Sequence, residues 1–207
     1  MGENGAGKST LIKTLGGLHS PDEGRVLLDG ADYSHQPGAS DSGPQVAFIH
    51  QDLGLIEWMS IAENIALAVG FPKTRGFISW KKSEDVARRA LRMVDSDFDP
   101  STRVSSLTRT EKSLVAIARA LVVECDFLVL DEPTASLPAD EVERLFGALH
   151  PLKEKGVGMI YVSHRLDEIF QIADRAAVLR DGRYTQCWTH HTRRTGEKKI
   201  HVLRTWF

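Results

Sequence analysis

The 207-residue chain is long enough for one substantial domain, and its 42% hydrophobic and 26% charged residues are ordinary for a soluble globular protein. A net charge of −2 gives no reason to expect nucleic acid as a partner, and no apolar run approaches the roughly 18 residues of a membrane helix. No basic-then-apolar leader suggests secretion. Cys125 and Cys187 lie far apart and outside metal-ligand spacing. The sequence therefore predicts a cytoplasmic domain with reduced thiols.

A glycine-rich segment stands first along the chain. Gly2-Glu3-Asn4-Gly5-Ala6-Gly7-Lys8-Ser9 fits the phosphate-loop pattern G-x-x-x-x-G-K-[ST]. Backbone N–H groups of such a loop converge on phosphate oxygens, and the helix that follows points its positive end at them. The pattern predicts that Lys8 contacts the β- and γ-phosphates, that the Ser9 hydroxyl binds Mg²⁺ and that Thr10 contacts the α-phosphate. A chance glycine-rich turn is the weaker alternative.

Short apolar runs alternate with segments of helical periodicity in the rest of the chain. The runs read as buried strands at Val46–Ile49, Phe127–Leu130, Gly158–Val162 and Ala176–Leu179. The helical segments each carry one apolar stripe with i, i+3, i+4 spacing: Leu114, Ile117, Ala118 and Leu121; Val142, Leu145, Phe146 and Leu149; Leu166, Ile169, Phe170 and Ala173. Gly156 is placed to end the second helix. This alternation predicts an α/β fold with a parallel sheet core covered by helices.

Two segments break the alternation. Gly24–Gly30 reads as a strand that turns through Asp29-Gly30 into a small antiparallel flap. Residues 53–106 contain two helical segments, roughly 60–70 and 80–94, and no obvious strand. They predict a helical insertion.

Two carboxylates follow the apolar run that ends at Leu130. Asp131 would reach a magnesium ion from the end of a rigid buried strand, and Glu132 would polarise the attacking water as a general base. An ordinary strand end is the alternative, and taken alone it would be the better one. The position of the pair, about 120 residues after the phosphate loop, favours the catalytic interpretation.

In this order the motifs resemble the ATPase domain of ABC transporters, over residues 1–186. The resemblance implies a P-loop NTPase fold and assigns further roles. Gln51 matches the glutamine loop that contacts Mg²⁺ and the lytic water, Ser136–Asp140 resembles the D-loop, and His164 matches the switch histidine that contacts the γ-phosphate. For each residue alone, an ordinary polar position is the alternative, which the shared order of four motifs outweighs.

Four short segments resemble the sequences of importers of simple sugars such as ribose, galactose and xylose, and in particular the first of their two tandem ATPase domains. The segments are Phe48–Leu53, Ile61–Ile65, Ile117–Leu121 and Val162–Leu166. The resemblance implies an ATP- and Mg²⁺-dependent motor subunit that is peripheral on the cytoplasmic face of the membrane. It also implies a head-to-tail pair with a second ABC ATPase domain, docking of the insertion on a transmembrane permease subunit, and no nucleic-acid partner.

The sequence departs from the family at its signature, usually Leu-Ser-x-Gly-Gln, which aligns with Leu107-Thr108-Arg109-Thr110-Glu111. Thr108 keeps the hydroxyl that binds the γ-phosphate of the opposite subunit's ATP. Thr110 replaces a glycine, and a β-branched side chain resists both close phosphate approach and positive φ. We therefore expect an asymmetric pair, whose better hydrolytic site uses the phosphate loop of this chain.

Both ends of the chain also depart from the family. The strand that feeds a phosphate loop would have to precede residue 2, so we expect a fragment of a longer gene product. The resemblance stops after Arg183, and 187–207 reads as a divergent, poorly ordered tail. Within it, residues 190–207 carry five Lys or Arg and one Glu, a net +4.

Two other functions remain alternatives. One is a non-hydrolysing nucleotide-binding subunit or an inactive fragment, which the altered signature and the missing upstream strand favour. The other is a soluble ABC ATPase that acts on DNA or ribosomes, which the short spacing of 55 residues between Gln51 and Leu107 disfavours.

Overall fold

The computed structural model describes residues 6–28, 30–33, 46–123, 125–135, 137–189 and 200–203. These fall into two compact units. The first contains the described residues within 1–48, 126–133 and 156–207, and the second contains those within 49–125 and 134–155.

The described residues contain both helices and strands, which alternate singly only between residues 109 and 180. The helices are α1 (Lys8–Leu15), α2 (Ile61–Val69), α3 (Trp80–Met93), α4 (Arg109–Leu121), α5 (Ala139–Glu154) and α6 (Leu166–Ile172). The strands are β1 (Arg25–Leu28), β2 (Ala31–Tyr33), β3 (Val46–Ile49), β4 (Lys73–Thr74), β5 (Phe77–Ile78), β6 (Phe127–Asp131), β7 (Gly158–Val162), β8 (Arg175–Arg180), β9 (Arg183–Thr189) and β10 (Ile200–Leu203). This order confirms the predicted α/β class.

The core of the first unit is a three-stranded sheet in the order β3-β6-β7. Strands β6 and β7 run parallel, in a register from Phe127 opposite Gly158 to Asp131 opposite Val162. Apolar side chains of α1, β6 and β7 cluster around Ile12, Val129 and Val162. The runs at 46–49, 127–130 and 158–162 were predicted as strands because buried parallel strands are continuously apolar, and they are confirmed.

The antiparallel parts of the first unit are more extensive than predicted. Strands β1 and β2 form the expected flap, and β10 pairs with β1 on its other side. Within the predicted poorly ordered tail, 187–189 and 200–203 are therefore strand residues, and the prediction stays untested for 190–199 and 204–207, which lie outside the described residues.

The prediction for Ala176–Leu179 was wrong in its pairing. This run lies in β8, which pairs antiparallel with β9 and alternates between exposed and half-buried positions. The turn explains the pairing: Asp181 and Gly182 have φ values of 50° and 72°, and an Asp-Gly pair with two positive φ values makes the tight hairpin turn whose twist matches that of antiparallel strands.

The predicted stripe of α6 needs correction too. Leu166 and Phe170 are each 55% exposed, whereas Ile169 and Ile172 are buried. The helix is only seven residues long and ends at Ile172. The face it buries is therefore shifted from the one that the spacing predicted.

The second unit contains the predicted insertion, 53–106, together with α4 and α5, and the two helices expected near 60–70 and 80–94 are α2 and α3. Helix α2 begins with a capping box of Ser60 and Glu63, and the predicted stripes of α4 and α5 are buried. Gly156, with φ of 85°, follows the end of α5 as expected. The insertion also contains the hairpin β4–β5, which is too short to leave an alternating pattern. No helix in the described part of the chain is long and apolar enough to cross a membrane.

A glycine at the start of β7 gives the first testable prediction. A Cβ on Gly158 would lie 2.5 Å from Cε1 of Phe127, a ring that is only 1% exposed. We expect Gly158→Ala to lower the free energy of unfolding by about 1–3 kcal/mol, since a packed core must shift to accept the methyl group. Urea denaturation measures the change.

Gly147, in the exposed face of α5, is the matched control because a Cβ there meets nothing within 4 Å. Gly147→Ala is expected to raise stability by up to about 1 kcal/mol, since alanine favours the helix. Equal effects of the two substitutions would contradict the packing of Gly158 against Phe127.

Candidate nucleotide-binding site

The described part of the predicted phosphate loop is the start of α1. Gly2, Glu3, Asn4 and Gly5 lie outside the described residues. Gly7 caps the helix with φ of 93°, a left-handed conformation that favours glycine. Lys8 is buried, whereas Ser9 and Thr10 are exposed on the first turn. The positive end of a helix and two hydroxyl groups are therefore presented together, which is an arrangement suited to phosphate.

A hairpin turn packs against this loop. The Gly182 N–H donates to the Ala6 carbonyl at 3.3 Å, and a Cβ on Gly7 would lie 3.4 Å from the Gly182 Cα. The β8–β9 turn thus supports the backbone from which α1 begins. The sequence did not predict this contact, although the Asp181-Gly182 pair signals a hairpin turn.

Asp131 and Glu132, the predicted metal ligand and general base, lie at the carboxyl end of β6, next to the end of β7. Asp131 ends β6 opposite Val162, and the Glu132 N–H donates to the Val162 carbonyl at 3.0 Å. Glu132 has φ of 48°, a strained conformation for a non-glycine residue, and such strain is concentrated at functional sites. This bend directs the chain away from the strand immediately after Asp131.

His164 follows β7 by two residues and contacts Glu132. Its Nδ1 lies 3.4 Å from Glu132 Oε1, and the two side chains are 57% and 25% exposed. A carboxylate can accept a proton from water, and an imidazole that touches it can orient it or donate to an anion. The pair can therefore act as one acid–base unit at the edge of the sheet.

The predicted metal ligands supply oxygen donors. No group of three His, Cys, Asp or Glu residues suited to a metal occurs among the described residues. Mg²⁺ is usually held by one or two carboxylates together with substrate phosphates and water rather than by a full protein cage. The Ser9 hydroxyl on α1 and the half-buried Asp131 carboxylate at the end of β6 fit that chemistry.

Gln51 lies in the second unit, on an exposed loop whose backbone is bound by α4. The Arg109 guanidinium donates to the Gln51 carbonyl. Arg119 donates to the carbonyls of Gly54 at 2.6 Å and Leu53 at 2.8 Å, and burial lowers the pKa of its guanidinium. The sequence did not predict these two arginines, because their targets lie 58 to 66 residues away along the chain.

The signature segment forms the start of α4. Thr108 is the N-cap: its hydroxyl accepts from the Glu111 N–H at 3.3 Å, and the Glu111 carboxylate accepts from the Thr108 N–H at 2.9 Å. A hydroxyl group that accepts one hydrogen bond can still donate another. The cap is therefore compatible with the predicted phosphate contact of Thr108. Of the D-loop-like run, Ser136 lies outside the described residues.

Of the two reasons given for Thr110, the one from backbone conformation was wrong, whereas hindered approach of a phosphate stays a prediction. Thr110 lies in the first turn of α4, is not among the residues with positive φ and is fully buried. Its hydroxyl donates to the Glu141 carboxylate at the start of α5. A threonine is thus accommodated without backbone strain, and its effect on a partner's nucleotide stays a prediction.

Known proteins resemble this chain in sequence and in fold. A family model described as ABC transporter matches residues 1–135. The chain is 45% identical over 183 residues to the ribose import ATP-binding protein RbsA 2 of Rubrobacter xylanophilus, which covers 88% of this chain and 35% of that protein. It is 42% identical over 184 residues to the ribose import ATP-binding protein RbsA of Corynebacterium glutamicum, covering 89% and 35%. The chain spans about 35% of the length of these curated relatives.

Solved structures show the same fold. The dimeric, post-hydrolysis ATP-binding cassette MJ0796, bound to ADP and phosphate, is 26% identical with a TM-score of 0.72, covering 93% of this chain and 84% of that one. The ADP conformation of the cassette MJ1267, at 24% identity and a TM-score of 0.74, covers 91% and 78%. The latter likeness concerns the fold alone.

The buried contact of Thr110 gives the second prediction. We expect Thr110→Val to lower the free energy of unfolding by about 1–2 kcal/mol, because the Glu141 carboxylate loses a buried donor while the side-chain shape is kept. Thr14→Val is the matched control, since the Thr14 hydroxyl makes an exposed bond to the Thr10 carbonyl, and its effect should stay within about 0.5 kcal/mol. Urea denaturation that gives equal values for both variants would contradict the role of Glu141.

Proposed function

This chain belongs to the ABC transporter family, and we propose that it is the ATP-binding and ATP-hydrolysing motor subunit of an importer for a simple sugar. The family match and the relatives named as ribose import ATP-binding proteins support the transport role. The observation that carries the hydrolytic role is the contact of His164 with Glu132 at the carboxyl edge of the sheet.

ATP binds at the start of α1 in this proposal. Backbone N–H groups of Gly2–Gly7 surround the phosphates, and the positive end of the helix faces them. The Lys8 ammonium neutralises charge on the β- and γ-phosphates, and the Thr10 hydroxyl donates to the α-phosphate. The exposure of Thr10 and the glycine cap at Gly7 support this arrangement.

The magnesium ligands are the Ser9 hydroxyl, the Asp131 carboxylate and the Gln51 side-chain oxygen. When bound, Mg²⁺ supplies positive charge that stabilises the anionic phosphates during transfer. Asp131 is suited to this role because the buried strand β6 fixes its backbone. Arg109 of α4 binds the backbone carbonyl of Gln51. The residue itself is exposed, so its side chain is accessible for such a role.

Hydrolysis proceeds by attack of water on the γ-phosphorus. Glu132 accepts the proton of this water as the new P–O bond forms, and the bond from the γ-phosphorus to the β–γ bridging oxygen breaks, with its electrons leaving on ADP. His164 contacts Glu132 through Nδ1 and a γ-phosphate oxygen through Nε2. The 3.4 Å contact between the two side chains supports this shared role.

A second ABC ATPase domain is the proposed partner at the nucleotide. In a head-to-tail pair the Thr108 hydroxyl donates to the γ-phosphate of the partner's ATP. The dimeric form of the solved cassette supports such a pair. Thr110 replaces the family's glycine at this face, so we expect the better hydrolytic site to use the phosphate loop of this chain.

A permease subunit is the proposed membrane partner, at the inner face of the membrane. The second unit exposes several large apolar side chains within the predicted insertion, among them Trp58, Phe77 and Trp80, at 74%, 80% and 54%. Exposed apolar side chains of this size are typical of protein contact surfaces. They support docking of the insertion on the permease.

Thermal unfolding in Mg·ATP tests nucleotide binding. We expect stabilisation by about 2.7 kcal/mol at a ligand concentration of 100 Kd, and its loss in Lys8→Ala. Lys13→Ala, which changes an exposed lysine in the last turn of α1, should bind like the parent. A parent chain that unfolds cooperatively without any shift in Mg·ATP would contradict ATP binding.

Phosphate release from the same samples separates hydrolysis from its rival. The observation that favours a non-hydrolysing subunit is Thr110 in the signature. Turnover that Glu132→Gln lowers by roughly 10²–10⁴-fold, with Mg·ATP binding retained, is the expected result. Binding without turnover in the parent chain, measured over a range of protein concentrations that allows pairing, would favour the rival.

A further inference from the structure

A buried carboxylate lies directly behind the loop that carries His164. Glu168, in the first turn of α6, is 1% exposed. Its Oε2 accepts hydrogen bonds from the Ser163 hydroxyl at 2.7 Å and from the Tyr161 hydroxyl at 3.0 Å. Its Oε1 lies 3.2 Å from Nε of Arg165. The Glu168 carboxylate therefore contacts three side chains that lie within the five residues from Tyr161 to Arg165.

Two of these partners are the chain neighbours of His164. Ser163 precedes it and Arg165 follows it, and the Arg165 N–H also donates to the Ser163 hydroxyl at 3.0 Å. The backbone on both sides of His164 is thereby tied to the same buried group. The contacts constrain the loop more tightly than a bond to one side would.

The placement of the carboxylate is energetically demanding. Burying a carboxylate costs several kcal/mol unless it is paired and hydrogen-bonded, and a buried ion pair is weak evidence for a stabilising role. Arg165 also binds the exposed Asp167 at 2.9 Å, and the pKa of Arg165 is raised, first by this bond and then by the charge of Glu168. Arg165 is therefore held by two carboxylates, one buried and one exposed.

The imidazole of His164 depends on this backbone for its position. The ring is exposed, and within the described part of the chain its hydrogen-bonding contact is the one to Glu132, at 3.4 Å. A contact that long constrains a ring only weakly. The position of the ring is therefore set mainly by the backbone between Ser163 and Arg165.

We propose that Glu168 is a positioning residue that fixes the His164 loop and so sets the contact of His164 with Glu132. An effect of Glu168 on turnover rests on the proposed ATPase function, whereas an effect of Glu168 on the contact between His164 and Glu132 does not. Glu168 acts through His164 and touches no reacting atom. Displacement of a catalytic group by about 1 Å can cost roughly 100-fold in rate, so a loosened loop should lower turnover without weakening nucleotide binding.

The first test uses the full chain without nucleotide. ¹H–¹⁵N correlation spectra resolve the rings of the eight histidines, and His164→Ala assigns the signal of His164. In the parent chain, Glu132→Gln should shift that signal because the two side chains touch. In Glu168→Gln the same Glu132→Gln change should leave the signal unmoved, since glutamine carries no charge to pair with Arg165 and has one acceptor oxygen where the carboxylate has two.

Asp167→Asn is the matched control. Asp167 and Glu168 are both acidic residues in the first turn of α6, so both substitutions remove a negative charge at the same helix end. We expect the response of His164 to Glu132→Gln to survive Asp167→Asn. Survival of the response in Glu168→Gln, or its equal loss in both variants, would overturn the proposal.

Turnover gives the second readout. We expect Glu168→Gln to lower kcat roughly 10- to 100-fold with KM for Mg·ATP within about twofold, and Asp167→Asn to leave both near the parent values. A raised KM at unchanged kcat would overturn the proposal. If the parent chain shows no turnover, the proposed function fails, and the spectra still decide the role of Glu168.

Ser163→Ala provides a second variant should Glu168→Gln not give a cooperative unfolding transition. It removes the 2.7 Å bond to Glu168 and the acceptor of the Arg165 N–H, while the small change keeps the loop packed. We expect the same loss of the His164 response. An unchanged response in a folded Ser163→Ala chain would contradict the proposal.

Discussion

Five residues of β6 pair in register with five of β7, from Phe127 opposite Gly158 to Asp131 opposite Val162. Because the strands are parallel, their carboxyl ends meet at the same edge of the sheet, and the side chains that follow them meet there too. A slip of one residue would turn each side chain of the strand to the opposite face. The close approach of Phe127 to Gly158 leaves no room for a side chain at the first pair, and this favours the observed register.

The charged residues of the proposed site lie immediately after the paired strands β6 and β7. The strand interior of β6 is apolar and excludes charge, so the carboxylates begin only at its end, with Asp131 and Glu132. The bond from the Glu132 N–H to the Val162 carbonyl extends the ladder by one step and fixes the bend at Glu132. His164 follows β7 at the same edge, and its neighbour Ser163 donates to the buried Glu168 carboxylate. A rigid apolar sheet thus positions the groups to which we assign proton transfer in the proposed hydrolysis.

The sequence was sufficient for elements whose signal is local. Continuous apolar runs predicted β6 and β7, and the order of the motifs along the chain indicated Glu132 and His164, which are in contact although their catalytic roles stay a prediction. The sequence failed where pairing or side-chain reach decides the outcome. Ala176–Leu179 has the composition of a buried strand, but the turn after it selects an antiparallel partner. The hydrogen bond from the Thr110 hydroxyl to Glu141 could not be predicted either, because no spacing along the chain indicates a contact between helices α4 and α5.

A double-mutant cycle on ATP hydrolysis tests most directly whether the edge of the sheet works as one unit. Glu132→Gln, His164→Ala and the combined variant are compared with the parent chain at saturating Mg·ATP, after thermal unfolding shows that each is folded. If the two side chains act together through their 3.4 Å contact, the combined loss in kcat should be close to the larger single loss, because groups that act as a unit are strongly non-additive. Losses that multiply independently would contradict the account.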